Sequence, residues 1–263
     1  MKRNAPVDPQ LTRPQAWLVP LIGAAGALAM LLPRSNVELF LFLNRLGPAT
    51  NDPFWTHVTV LGDTVVALAL CLPLARRRPD LLWAVVPVAL LATAWVHVLK
   101  PLFDATRPVG VLAAEAFNII GPAHRYHSFP SGHSTTAFTL AGVCVLGFGL
   151  RTWTLLAVAL AALVALSRVV VGVHWPLDIF AGVVGGWLAA VLGMKIAARV
   201  PQGRYPAVQW LATLAFGGCA VALIAGYSTG YADALPFQRA LGLLCLAAFG
   251  LTFVPTRAGA SGR

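Results

Sequence analysis

The sequence predicts an all-α integral membrane protein, and three observations carry that reading. Of the 263 residues, 58% are hydrophobic and 11% are charged, against about 25% charged in a soluble domain, and mean hydropathy is +0.76. Eight apolar stretches approach the roughly 20 residues that a helix needs to cross a bilayer. They are 15–33, 54–74, 81–100, 132–150, 152–170, 176–197, 207–226 and 237–254. Lys and Arg gather at the ends of these stretches, where membrane topology accounts for them.

The first stretch follows Lys2, Arg3 and Arg13 and contains Ala27-Leu28-Ala29, which loosely resembles a cleavage site. It is longer than a signal-peptide core and other spans follow, so an uncleaved helix is expected. Residues 36–46 are too short to cross and read as an interfacial helix, with Glu38 and Arg45 on one face and Leu39, Phe40 and Leu43 toward lipid. The second span carries Asp63, expected to be buried and hydrogen-bonded because a carboxylate at that depth is costly. The excursion 101–130 is the longest polar loop. Stretches four to six are rich in small residues, and Gly182, Gly185, Gly186, Ala189 and Ala190 mark a packing face. Gly217-Gly218 interrupts the seventh stretch. Three segments are expected: 1–50 with the first span and interfacial helix, 51–200 as a core, and 201–263 as an additional two-span segment.

The formal net charge of +10 does not point to nucleic acid, because the basic residues form no stripe or aromatic-interleaved cluster. Cys71, Cys144, Cys219 and Cys245 fall inside apolar runs and read as small buried side chains. With the N-terminus in the cytoplasm, the cytoplasmic segments carry Lys2, Arg3, Arg13, Arg76-Arg77-Arg78, Arg151, Lys195, Arg199, Arg204, Arg257 and Arg263. The opposite side carries Arg34, Arg45 and Arg239, with Lys100, Arg107, Arg125 and Arg168 in or near three polar patches. That bias puts the patches on the non-cytoplasmic face.

The first patch is Lys100 with Arg107-Pro108, the second Pro130-Ser131-Gly132-His133, and the third Ser167-Arg168 followed by His174 and Asp178. Ser131 suits a helix N-cap, and a helix start offers free N–H groups and a positive dipole end to a phosphate. Gly132 lets backbone approach a ligand. Lys100, Arg107 and Arg168 suit a phosphate's charge, although any one of them alone would read as a cation snorkelling to headgroups. Asp178 lies one helical turn beyond His174 and can fix its tautomer, leaving the other nitrogen to attack. His133 then suits proton transfer to the leaving oxygen. A lone histidine at a helix end is more often a satisfied polar residue; two, one with a carboxylate, favour chemistry. A metal site from His124, His127, His133, His174 and Asp178 is the rival, but no local spacing has a zinc signature and three cations oppose a dication.

In order and spacing, all three patches resemble the signature motifs of the type 2 phosphatidic acid phosphatase superfamily. The resemblance covers about residues 50–198, and Phe54-Trp55 through Gly62-Asp63 is similar to bacterial members. It implies a six-helix phosphatase core, with the last two spans as additions, and a metal-independent hydrolase without a cofactor. Lys100, Arg107, Ser131, Gly132 and Arg168 would hold phosphate, His133 would be the acid/base, His174 the nucleophile and Asp178 its orienter. The implied substrates are phosphorylated membrane lipids at the periplasmic face of an inner membrane: undecaprenyl diphosphate, phosphatidylglycerol phosphate, phosphatidic acid or lipid A. A phosphotransferase would use the same residues, and a lipid transporter or scaffold would leave the His174/Asp178 pair idle. Vanadium haloperoxidases share the fold, so vanadate should inhibit. Outside the motifs, His97 is expected to be a packed polar residue, and the stretch Ala123–His127 to touch a headgroup.

Overall fold

The computed structural model of the chain describes residues 15–253. Lys2, Arg3, Arg13, Arg257 and Arg263, which contribute to the expected charge bias, lie outside them. The described residues contain α-helices and short 3₁₀ turns without strands. Ten helices matter here: α1 (Gln15–Ala29), α2 (Ser35–Asn44), α3 (Asp52–Val60), α4 (Thr64–Leu70), α5 (Pro79–Phe103), α6 (Gly132–Phe148), α7 (Thr152–Val170), α8 (Pro176–Arg199), α9 (Pro206–Ala225) and α10 (Leu235–Leu251). Proline opens α5, α8 and α9, where its missing N–H costs nothing and its fixed φ is already helical.

Every apolar stretch read from the sequence is helical, but they are not eight equal spans. Among the described residues, five helices are long and apolar enough to cross a membrane, or six if α3 and α4 count as one broken span. The expected span 54–74 bends by 65° between α3 and α4. Asp63 stands at the break and N-caps α4, accepting from the backbone of Val65 at 2.8 Å and Val66 at 3.4 Å. Tyr227 adds a third bond to it at 3.3 Å, so the carboxylate is half-buried and hydrogen-bonded as expected. The first and fourth stretches give helices of 15 and 17 residues. α6 is short because it starts inside the protein, where neighbouring chain, and not lipid, satisfies irregular backbone.

α8 is the central post. Two thirds of its most apolar window (67%) is buried, against 22% for the corresponding windows of α9 and α10. It packs on α1, α5 and α6, and its small residues permit that approach. At Gly186 an added Cβ would lie 2.2 Å from the carbonyl oxygen of Thr135, so α6 and α8 touch backbone to backbone there. α9 and α10 form a hairpin against α4 and α5 at the edge of the bundle.

α2 departs from its expected role. Phe40 is fully buried, packed on Phe117 and Trp175 with ring centroids 5.3 and 5.1 Å away, and does not face lipid. Asn44, also buried, donates to the carbonyls of Asn118, Val169 and Val170 at 2.9–3.1 Å and accepts from the backbone of Asn118 at 2.7 Å. Asn36 accepts from Leu177 N–H at 3.0 Å in the first turn of α8. The helix is therefore a strut under the loops that join α7 to α8.

Gly186→Ala tests the close approach of α6 and α8. Because the obstructing atom is backbone, it should destabilise by about 1–3 kcal/mol, read as a lower thermal midpoint in detergent. Gly218→Ala, whose added Cβ meets nothing within 4 Å, should leave the midpoint unchanged or raise it.

Candidate active site

The three patches converge at one end of the bundle, where α5 and α7 finish and α6 and α8 begin. Backbone bonds join them: Ser131 N–H donates to the carbonyl of Asp178 at 3.0 Å, and Val173 and His174 N–H donate to that of Arg168 at 3.2 Å. Arg107 ties the long loop to the same place. Its N–H donates to Arg125 O at 2.8 Å, and its guanidinium donates to the carbonyls of Tyr126 (3.0 Å), Val173 (3.0 Å) and His127 (3.4 Å). Three of its five N–H donors are then committed, which leaves two for a ligand.

His174 and Asp178 are both 2% exposed. Asp178 Oδ2 lies 3.2 Å from His174 Nδ1 and also accepts from Ser128 Oγ at 2.5 Å and Trp175 N–H at 2.8 Å. An ionised carboxylate can only accept, which assigns the Nδ1–H tautomer to His174 and leaves the lone pair on Nε2. Trp175 is itself fixed by its indole bond to Thr106 O at 2.8 Å. Burial first, then the charges of Arg107, Arg168 and Lys100, hold His174 well below the usual imidazole range. All three cations therefore lie close enough to act on this ring.

Ser131 caps α6, accepting from Ser134 N–H at 3.4 Å and Ser134 Oγ at 3.0 Å. An added Cβ on Gly132 would meet only Val96, at 3.7 Å, so the space beside it is open. His133 follows, with its Nε2 buried and without a protein partner. The ring sits against Gly62, where an added Cβ would lie 2.8 Å from His133 Cβ; the break between α3 and α4 thus forms one wall of the site. Arg168 is 6% exposed. Its NH1 donates to Thr59 Oγ1 at 2.5 Å and Tyr231 OH at 3.1 Å, while its Nε is buried with no protein partner.

Beside His133 a cavity of about 190 Å³ runs between α4, α5 and α6. Asp63, His97 and His133 line its polar part, and Val85, Val88 and Leu140 line the apolar part. His97 is exposed on α5 at this cavity and is not packed. His124 and His127 are exposed outside the core of the site; His127 Nδ1 lies 3.3 Å from Asp104. Among the described residues, no three His, Cys, Asp or Glu side chains converge in a way that would hold a metal ion.

Residues 80–202 match the PAP2 superfamily. Over 176 residues the chain is 32% identical to an undecaprenyl-diphosphatase of Sulfolobus acidocaldarius, covering 63% of this chain and 80% of that protein. The chain belongs to the PAP2 superfamily. The crystal structure of Aquifex aeolicus LpxE superposes with a TM-score of 0.55 at 32% identity, covering 61% of this chain and 94% of that one. A transmembrane PAP2-type phosphatidylglycerolphosphate phosphatase from Bacillus subtilis superposes at 0.50 with 21% identity, covering 69% and 97%; at that identity it speaks for the fold alone.

For a PAP2 chain the eight motif residues were readable, but their supports were not. Ser128, Thr59, Tyr231 and Asn44 reach the site from 50 to 126 residues away in the chain. None of the four carries a sequence signal of its own: Thr59 lies within an apolar stretch, and Ser128 and Tyr231 lie in polar loops. The His174 environment generates a prediction of its own. Burial and the cations both favour the uncharged ring, so His174 should stay neutral as pH falls through 6.5 and take its proton only below it. Imidazole ¹⁵N shifts at pH 6, assigned against a His174→Gln variant, should report the neutral Nδ1–H form.

Proposed function

We propose that this PAP2 protein is a lipid phosphatase that hydrolyses a phosphate or diphosphate headgroup through a phosphohistidine at the periplasmic face of an inner membrane. The observation that carries the reading is the His174–Asp178 pair: Nδ1 held by a buried carboxylate, Nε2 free, and three cations around it. The named activities of the similar proteins, an undecaprenyl-diphosphatase among them, support the lipid-phosphate class. The cavity supports it too, since its polar part adjoins His133 and the rest is lined by hydrocarbon at helix depth.

In this reading the phosphoryl group rests on the first turn of α6, between Lys100, Arg107 and Arg168. Nε2 of His174 attacks phosphorus, forming the N–P bond as the bond to the leaving oxygen breaks. Asp178 stabilises the charge that the ring acquires. His133 delivers a proton to the leaving oxygen, and the arriving anion offsets the cations that otherwise oppose a charge on this ring. Water then attacks the phosphohistidine, His133 takes its proton, and inorganic phosphate leaves with His174 restored. No step calls for a metal. Residues 51–200 are the catalytic core in this scheme, with the described part of 1–50 bracing it and the described part of 201–263 added to it.

The test is phosphate release by purified protein in excess chelator, from undecaprenyl diphosphate, phosphatidylglycerol phosphate, phosphatidic acid and lipid A. His174→Ala should lower release by at least about a thousandfold while remaining folded and inserted. Turnover by that variant, or activity that depends on an added divalent ion, would overturn the mechanism. Orientation is checked separately. With the four native cysteines replaced, Glu115→Cys in the long loop should react with a membrane-impermeant maleimide added outside intact spheroplasts, and protection there would place the site in the cytoplasm.

A further inference from the structure

The match to the PAP2 superfamily ends at residue 202, yet the hairpin beyond it reaches into the site. The loop between α9 and α10 places Tyr231, 6% exposed, with its hydroxyl 3.1 Å from Arg168 NH1. The loop is shaped for this. Gly226 and Gly230 take left-handed φ values of 100° and 87°, which only glycine adopts without strain. Gly121 leaves room for the ring, since an added Cβ there would lie 2.5 Å from Tyr231 Cε1. Gln238 of α10, fully buried, donates to Tyr227 O at 2.9 Å and accepts from Thr229 Oγ1 at 2.6 Å. The loop is therefore pre-organised by its own hairpin, and Tyr227 pins it to Asp63 at the break between α3 and α4.

We infer that the C-terminal hairpin is part of the catalytic apparatus, with Tyr231 a positioning residue that aims Arg168 at the phosphoryl group. NH1 carries two protons, and Thr59 and Tyr231 take both. The guanidinium plane is then fixed, and the edge formed by Nε and NH2 is left for a ligand. Nε on that edge is the buried donor without a protein partner. This edge matches two phosphate oxygens in a fork. Both partners of NH1 are neutral hydroxyls. They orient the guanidinium without neutralising it, whereas a carboxylate in either place would compete with the substrate for its charge. The inference rests on the proposed reading of Arg168 as a phosphate ligand and extends the site to a residue outside the motifs.

Tyr231→Phe removes the hydroxyl and keeps the ring against Gly121. The experiment uses the full chain in detergent and measures two quantities: affinity for inorganic phosphate, from the rise in thermal midpoint on titration, and kcat/KM for lipid phosphate release. The variant should bind phosphate about tenfold more weakly and lose about tenfold in kcat/KM, the scale of one hydrogen bond to a charged group. Thr59→Val should do the same through the other proton of NH1. Phosphate affinity equal to that of the parent chain would overturn the inference, whatever happens to the midpoint without phosphate or to turnover. Weakened phosphate binding in the variant, together with a parent chain that releases nothing from any lipid, would uphold the role of Tyr231 and overturn the phosphatase reading. A parent chain that binds no phosphate would overturn both.

Discussion

Three like charges, Lys100, Arg107 and Arg168, are gathered at one end of a helical bundle in a part of the protein with a single buried carboxylate. Asp178 does not pair with any of them. Its Oδ2 is taken up by His174, Ser128 and the backbone of Trp175. Arg107 is held by main-chain carbonyls and Arg168 by hydroxyls, partners that fix direction without cancelling charge. Such a cluster is unfavourable by itself, because burial penalises each charge and neighbours repel. An anion placed among the three cations would offset that repulsion, which is the condition the proposed function supplies.

The helices contribute through their ends. Lys100 lies in the last turn of α5 and Arg168 in the last turn of α7, where the negative end of a helix dipole favours a cation. Gly132 begins α6, where free N–H groups and the positive end favour an anion. Alternating helix direction thus places cations and a turn with free N–H groups side by side without extra residues. It also explains why the site sits at the end of the bundle: only there do both kinds of terminus meet.

What could be read from the sequence was what is local. The His174–Asp178 pair spans one helical turn, Ser131 caps the helix that follows it, and each cation lies in a short motif. Their convergence was legible only through the resemblance of all three motifs at once. Contacts made across the fold were not legible, because Thr59, Ser128 and Tyr231 differ in no local way from other polar residues in helices and loops. Phe40 was misplaced for the same reason: an apolar face on a short helix has equal affinity for lipid and for Trp175 and Phe117. The break in the second span was missed because a 20-residue hydropathy window averages over one Asp. The dipeptide Gly62-Asp63 within an apolar run was its sequence signal.

That break links the chemistry to the lipid side of the protein. Backbone freed at membrane depth costs several kcal/mol per unsatisfied group, so a bend of this size needs its own hydrogen-bonding partner. Asp63 supplies it by capping α4, and Tyr227 holds the carboxylate from the hairpin. The missing side chain at Gly62 lets His133 and Val164 close against the turn. A straight helix here would remove the wall behind His133 and the seat of Thr59, and with them one of the two hydroxyls on Arg168. The cavity that begins at His133 and continues among valines and leucines therefore depends on the same bend as the charge cluster. In the proposed reading, reach toward hydrocarbon and hold on phosphate are two consequences of one local interruption in an apolar helix.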